Sequence, residues 1–314
     1  MKAYFLQTSG SDATLELREV PKPEPGQGRL LVRVRAASLN RGELLRGAGP
    51  GKPGAKPAGT EAAGEVEGSG ERVMGRCAGG FAEYALIDRR DAIPVPAGVS
   101  WEEAASIPIA FMVVHDMLVA QGGLKAGEWL LVTGIASGVG VAALQVAKAL
   151  GAKVIGTSGS KDKLERLKAL GLDVALQTRK PDFHHAVMQA TGGKGVDLVV
   201  NNVGGSMFAE CLRSLAFEGR LATVGYLDGV FSAEIDLDAL HARRLRLFGV
   251  SNKLRDAEHR AHTVRGFIRD LLPLFADGRI KPLVDRVYDF KDLPAAKAYM
   301  ESDAHVGKIV LRVS

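Results

Sequence analysis

The sequence predicts an α/β fold in which a doubly wound parallel sheet is joined to a separate, mainly β domain. Three observations lead there. Residues 129–151 run as strand, glycine turn and helix. Downstream of Ser100, apolar strand-like runs alternate with helical periods. Upstream of Ser100 the chain alternates in the β manner, and its last segment ends in another strand that is free to return to that first domain.

The opening third contains Ala3-Tyr-Phe-Leu, Leu15-Glu-Leu and Leu30-Leu-Val-Arg-Val-Arg, with the turn-rich Pro21 to Gly28 between them. Residues 47–59 are almost pure Gly, Pro, Ala and Lys and read as a loop. Two further strands are expected at Ala63 to Val66 and Phe81 to Ile87, joined by a short connection. The Ser100-Trp-Glu-Glu stretch has an N-cap and early acids, and Phe111 to Gln121 continues as helix. Strands are then expected at 129–133, 153–157, 173–176, 196–201, 220–224 and 245–249. Helices are expected at 139–150, 161–170, 184–191 and 205–216. Apolar strands alternating with helices imply a parallel sheet covered on both faces. A helix over Thr263 to Asp277 and the strand Lys308 to Val313 close the chain.

At 314 residues the chain suits two domains, and 46% hydrophobic with 25% charged residues describes a globular protein rather than a disordered one. The weakly charged stretch Trp129 to Ala147 does not read as a membrane span. Thr133, Ser137, Gln145 and a turn glycine interrupt it, and strand, turn and helix account for all of it. Met1 to Gly10 is short and mixed and does not read as a signal peptide, and Cys77 and Cys211 form no disulfide framework, so a cytoplasmic location is expected. The net charge of +5 is scattered, with its densest cluster at His241-Ala-Arg243-Arg244-Leu-Arg246, which fits a solvated helix end better than a nucleic-acid surface.

A helix that opens on a glycine turn offers unpaired N–H groups and the positive end of its dipole to an anion such as pyrophosphate. Gly134, Gly138 and Gly140 supply that turn; because the spacing is not the strict G-x-G-x-x-G pattern, the turn by itself fits an ordinary strand-to-helix connection as well as a dinucleotide site. The tip of the second strand of such a fold lies near the adenosine ribose, where an acid would bond the 2′-hydroxyl of NAD. Here that tip reads Thr157-Ser158-Gly159-Ser160-Lys161 with Lys163 beyond, and Arg179 follows the third strand. Hydroxyls and cations suit a 2′-phosphate, so NADPH is expected; the two lysines also fit a solvated helix face. Asn201-Asn202-Val203-Gly204-Gly205 and Thr223-Val224-Gly225-Tyr226 end two later strands, where ligands lie in open α/β sheets. Gly192-Gly193-Lys194-Gly195 lacks the spacing of a phosphate loop.

Taken in order, several short stretches resemble the medium-chain dehydrogenase/reductase superfamily, in its zinc-independent quinone oxidoreductase and enoyl reductase-like branch. They are Ala36-Ala-Ser-Leu-Asn-Arg-Gly-Glu-Leu, Gly59-Thr-Glu-Ala-Ala-Gly-Glu-Val, Glu103-Ala-Ala-Ser-Ile-Pro, Leu124-Lys-Ala-Gly-Glu, the 133–151 turn, Gly192-Gly-Lys-Gly-Val-Asp, Val203-Gly-Gly and Val306-Gly-Lys-Ile-Val-Leu. The resemblance covers essentially the whole chain. It implies a GroES-like catalytic domain from residues 1–116 and 262–314, a Rossmann NADPH-binding domain over 117–261, and a homodimer.

For the cofactor, the resemblance implies contacts from Ser137, Gly138, Val139, Gly140, Thr157, Ser158, Lys163, Thr178, Arg179, Asn202, Val203, Gly225, Tyr226 and Lys308. It places Asn40, Val113, Tyr226, Val250 and Ser251 near the nicotinamide or the substrate. Zinc-dependent relatives carry Cys where this chain has Asn40 and His where it has Thr60, and neither replacement is a usual zinc ligand. The chain departs from the branch at Ser137 for a Gly, Thr178 for a Tyr and Val113 for a Thr, and the connection between Val66 and Phe81 is shorter than usual. No Ser/His/Asp relay or carboxylate pair presents a catalytic group, and His115 in its apolar helical stretch reads as a packed histidine. The expected activity is NADPH-dependent reduction of a quinone or an α,β-unsaturated carbonyl compound. An enoyl-thioester reductase and an NADPH-binding protein with little turnover are the alternatives.

Overall fold

The structure is a computed structural model that describes residues 1–9, 12–44 and 55–313. The chain divides into two compact units, residues 113–255 and residues 1–112 with 256–314.

In the 113–255 unit, six strands form one parallel sheet. Their spatial order is Val174–Gln177, Lys153–Ser158, Trp129–Thr133, Val196–Asn201, Leu215–Thr223, Arg246–Gly249. In order along the chain these are strands 3-2-1-4-5-6, the doubly wound arrangement whose reversal point lies between the first and fourth strands. The central strands are apolar because both faces are covered: Leu131, Ile155, Val199 and Leu221 are fully buried and join one core with Val187, Val196 and Leu212. The helices Gly138–Ala149, Lys161–Lys168, His184–Ala190 and Gly205–Arg213 alternate with the strands as the sequence predicts.

The other unit carries a six-stranded sheet in the order Val284–Asp289, Lys308–Arg312, Arg29–Ser38, Glu61–Val66, Arg72–Ala78, Tyr84–Pro94. Arg29–Ser38 also pairs with Tyr84–Pro94, so four strands close on themselves. The C-terminal strand pairs antiparallel with Arg29–Ser38, Val310 opposite Ser38 and Leu311 opposite Ala37. Leu6, Leu39 and Phe81 share a core with Leu293, Ile309 and Leu311, so the β domain is built from both chain ends. A small sheet of Asp12–Glu19, Lys2–Ser9 and Lys56–Pro57 completes the strands of this unit. The helix Trp101–Ala105 opens on a full capping box between Ser100 and Glu103.

Several local expectations are corrected. The connection after Val66 is itself a strand, Arg72–Ala78, and the next strand runs to Pro94 rather than Ile87. The helical stretch at Phe111 to Gln121 divides into the α-helix Pro108–Val114 and a π-helical turn, His115–Ala120. The helix from Gly205 stops at Arg213, where the Ser214 hydroxyl donates to the Glu210 carbonyl, and the next strand starts at Leu215. The C-terminal helix is two, Ala257–Asp270 and Leu272–Ala276, because Pro273 has no N–H to continue the first. The helix Leu293–Glu301 and the strand Val284–Asp289 carry no clear sequence signal. The loop expected at 47–59 lies mostly outside the described residues, and near its end Lys56–Pro57 pairs with Phe5 and Leu6.

Phe267 is fully buried and packs its ring against Phe275, which meets Phe111 edge-on at 4.9 Å. Phe267→Ala should lower the unfolding free energy by about 3–5 kcal/mol, read from a denaturant titration of the transition that reports this unit. A change below about 1 kcal/mol would show that the ring is not part of a close-packed core.

Candidate functional site

The glycine turn is built as a cradle for an anion. Gly134 has φ +63°, a left-handed conformation that lets the chain leave its strand abruptly. Ile135 then donates its N–H to the Thr157 carbonyl, and Gly134 donates to the Thr157 hydroxyl at 3.3 Å. Ser137 is the N-cap of the helix Gly138–Ala149, and its hydroxyl accepts the Gly140 N–H at 3.1 Å. The substitution of Ser for the usual Gly therefore serves the helix start. The Gly138 and Val139 N–H groups, at the half-buried mouth of this turn, have no acceptor among the described residues and lie at the positive end of the dipole.

Two more glycines fix the turn against its neighbours. A Cβ at Gly140 would fall 2.5 Å from the Ile135 carbonyl oxygen, and one at Gly156 would fall 2.3 Å from Ile135 Cδ1. Helix, turn and second strand therefore meet at distances that no side chain there would allow.

At the tip of the second strand, Thr157 is buried while Ser158 and Gly159 are half-buried. Ser158 Oγ accepts the Ser160 N–H, and Ser160 Oγ caps the helix at Lys163 N–H. Thr178 donates its N–H to the Ser158 carbonyl, and its hydroxyl is committed to Asp182 Oδ1 at 2.6 Å. The Thr178 hydroxyl is thus engaged within its own turn. Arg179, next along, is exposed, with its side chain against Gly159.

The paired asparagines after the fourth strand differ in role. Asn201 Oδ1 accepts the Thr133 hydroxyl and the N–H groups of Val203 and Gly204, each at 3.1 Å. Its Nδ2 donates to the Gly204 carbonyl, so the whole amide is used to shape the turn. Asn202 is only 5% exposed, and its Nδ2 has no partner among the described residues. A buried donor left open is costly unless something bound there accepts from it. Asn202 Cβ and Val203 Cγ2 lie within van der Waals reach of the position a Gly134 Cβ would take. A Cβ at Gly225 would meet the Asn202 carbonyl oxygen at 2.8 Å. Residues 134, 202, 203 and 225 thus gather at the carboxyl ends of the strands beside the reversal point, where ligands bind in such sheets. Tyr226 is half-buried and pairs its ring with Phe231 at 5.0 Å. Val250 is buried, Val113 is half-buried, and Ser251 is exposed with its hydroxyl accepting the Lys253 N–H. His115 is buried, 3% exposed.

In the other unit, Asn40 and Lys308 are joined by a residue the sequence did not flag. Glu61 is completely buried. Its Oε1 accepts from Lys308 Nζ at 3.0 Å, Asn40 Nδ2 at 2.8 Å and the Ser38 hydroxyl at 2.5 Å, while Oε2 accepts the Ile109 N–H at 2.7 Å. Lys308 also donates to the Leu39 carbonyl and to Asn40 Oδ1, so its ammonium is saturated inside this unit. Beside it, burial pushes the Glu43 carboxyl up, against the lowering pull of the Gly59 N–H and the Thr60 hydroxyl. Burial also pushes the Cys77 thiol far up. No group of three His, Cys, Asp or Glu side chains among the described residues converges as a metal-ligand set.

This fold, with its glycine turn at the carboxyl ends of the strands, defines a dinucleotide-binding domain. Residues 138–264 match the family model described as zinc-binding dehydrogenase. The quinone oxidoreductase of Thermus thermophilus, solved with NADPH, is 31% identical with a TM-score of 0.84, each chain covering 100% of the other. A mycobacterial protein also solved with NADPH is 28% identical, with a TM-score of 0.88 over 100% of both chains. A phenolphthiocerol/phthiocerol polyketide synthase chain of Mycobacterium tuberculosis is 31% identical over 311 residues, 95% of this chain but only 14% of that protein. The chain belongs to the medium-chain dehydrogenase/reductase superfamily, in its quinone oxidoreductase and enoyl reductase-like branch.

Zinc does not fit these residues. Asn40 and Thr60 offer an amide and a hydroxyl, neither a usual zinc ligand, and they are tied to Glu61 and Lys308 and to Glu43 respectively. Lys308→Met leaves the Glu61 carboxylate buried beside neutral donors alone and should cost about 3–5 kcal/mol of stability by urea titration. The double variant Lys308→Met/Glu61→Gln should recover part of that loss. A single variant that loses less than about 1 kcal/mol would contradict a buried ion pair at this position.

Proposed function

We propose that this chain is an NADPH-dependent reductase of quinones or α,β-unsaturated carbonyl compounds that works without zinc. The observation that carries the reading is the glycine turn at Gly134–Gly140, with open N–H groups at a helix start and the unpartnered Asn202 amide beside it. The Gly138 and Val139 N–H groups would hold the pyrophosphate, Arg179 and the Ser158 region the adenosine 2′-phosphate, and Asn202 Nδ2 an oxygen of the bound cofactor. When bound, NADPH supplies the hydride.

The chain's own part is to bind, orient and exclude water. By the family resemblance, Val113, Val250 and Tyr226 would supply apolar or aromatic groups near the nicotinamide or substrate, and Asn40 and Ser251 polar ones. The Asn40 amide is held by Glu61 and Lys308, and beyond them its Nδ2 meets only the Thr60 hydroxyl, at 3.4 Å. That leaves a lone pair of its oxygen and one weakly engaged N–H for a ligand. The proton that completes reduction of an enone would come from solvent or from a donor side chain.

Reduction of an enoyl thioester is a second reading, favoured by the match of nearly the whole chain to one stretch of polyketide synthases. A cytoplasmic homodimer goes with either reading on the family resemblance; among the described residues no helix is long and apolar enough to cross a membrane.

Oxidation of NADPH and of NADH by the purified protein, against 1,4-quinones, enals, enones and acryloyl thioesters, tests the reading. NADPH-selective turnover on quinones or enones is expected, and turnover on the thioester alone would shift the reading to the second. Gly138→Trp fills the mouth of the turn and should abolish NADPH binding while the circular dichroism spectrum stays native. Unchanged affinity in that variant would sink the proposed cofactor site.

A further inference from the structure

We propose that Gly159 is the specificity-determining residue for the cofactor. Its missing side chain is what lets Arg179 lie across the tip of the second strand, where the arginine can receive a 2′-phosphate. The proposal rests on the NADPH reading above and names the residue that sets it.

Gly159 is not needed for its backbone conformation, since it is absent from the residues with positive φ. It is needed for space. A Cβ built there would fall 2.0 Å from Arg179 Nε, 2.5 Å from its Cγ and 2.7 Å from its Cδ. The arginine stem therefore occupies the volume that any other residue would fill.

The turn that presents Arg179 is fixed on both sides. Thr178 bonds back to the Ser158 carbonyl, and its hydroxyl accepts the Lys180 N–H and donates to Asp182. Arg179 itself makes no ion pair among the described residues, although its guanidinium is exposed. The strand tip Thr157-Ser158-Gly159-Ser160-Lys161 contains no acid to bond a ribose 2′-hydroxyl, and the nearest one following, Asp162, sits in the first turn of the next helix. An exposed, uncommitted guanidinium with hydroxyls around it matches a phosphate dianion, which it can grip through two N–H groups at once.

The test uses two variants of the whole chain and equilibrium binding, so it does not depend on turnover. Gly159→Ala introduces a methyl that displaces a flexible stem rather than backbone, and Arg179→Met removes the charge while keeping most of the volume. Calorimetric titration with 2′,5′-ADP, NADPH and NADH is the readout. In both variants, affinity for 2′,5′-ADP and NADPH should fall about 10- to 100-fold, the span of a lost charge-assisted contact, while that for NADH stays the same.

If the wild type prefers NADPH and both variants keep that preference, the inference is overturned and the cofactor reading survives. Loss in Arg179→Met with full retention in Gly159→Ala overturns the role of Gly159 alone. A wild type with no preference for NADPH overturns the reading and this inference together. Should Gly159→Ala fail to fold by circular dichroism, a flexible stem is not what occupies the space, and the inference falls with it.

Discussion

Ile135 is the point on which the dinucleotide-binding unit turns. Its side chain is fully buried against Gly156 and its backbone lies against Gly140, and both fit only because neither glycine has a Cβ to meet them. Its backbone is equally committed, donating to the Thr157 carbonyl across the sheet. With Ile135 seated, Gly134 must reverse the chain in a left-handed conformation, and the helix must begin at Ser137 with its N–H groups turned to the carboxyl ends of the strands. The direction of the dipole and the proximity of Asn202 and Val203 follow from that packing.

The other unit depends on a different constraint, one buried ion pair between segments far apart in the chain. Lys308, on the last strand, and Glu61, at the start of its own strand, are both nearly inaccessible to water. Ser38, Asn40 and the Ile109 N–H complete the acceptor capacity of the carboxylate. Together they join three strands and the start of the Pro108–Val114 helix around one charge. The net stabilisation from such a pair is small, because desolvation offsets most of the attraction. This part of the chain is thus a closed network of organic groups. Within that network, the group with hydrogen-bonding capacity to spare for a ligand is the Asn40 amide.

Much of the dinucleotide-binding unit was legible because its signals are local. Apolar runs such as Leu130-Leu-Val and Leu198-Val-Val, the capped helix starts at Ser137 and Ser160, and the glycine turn each carry their own instruction. The β unit was less legible because its signals are not local. The strand Arg72–Ala78 has Gly75 and two arginines in seven residues, and its burial comes from neighbouring strands rather than from its own alternation. The Leu293–Glu301 helix, opening with Pro294 and rich in alanine, carries a weak apolar stripe. Glu61 looks like an ordinary surface acid until a lysine 247 residues away neutralises it. For Lys308 the resemblance implies the cofactor's vicinity, and the bonds of its ammonium to Leu39, Asn40 and Glu61 are not visible in the sequence. The difference between Asn201, which shapes its turn, and Asn202, which has a donor to spare, is likewise invisible in a run of two identical letters.

The central claim is that the Ile135-braced turn and its helix start hold a dinucleotide. The most direct measurement is the equilibrium binding of NADPH to the unmodified protein, followed by the fluorescence of the reduced nicotinamide. Saturable binding of one NADPH per chain, competed by pyrophosphate-containing adenine dinucleotides but not by adenosine, is the predicted result. Absence of saturable binding to both NADPH and NADH, in protein whose native fold is verified, would contradict it.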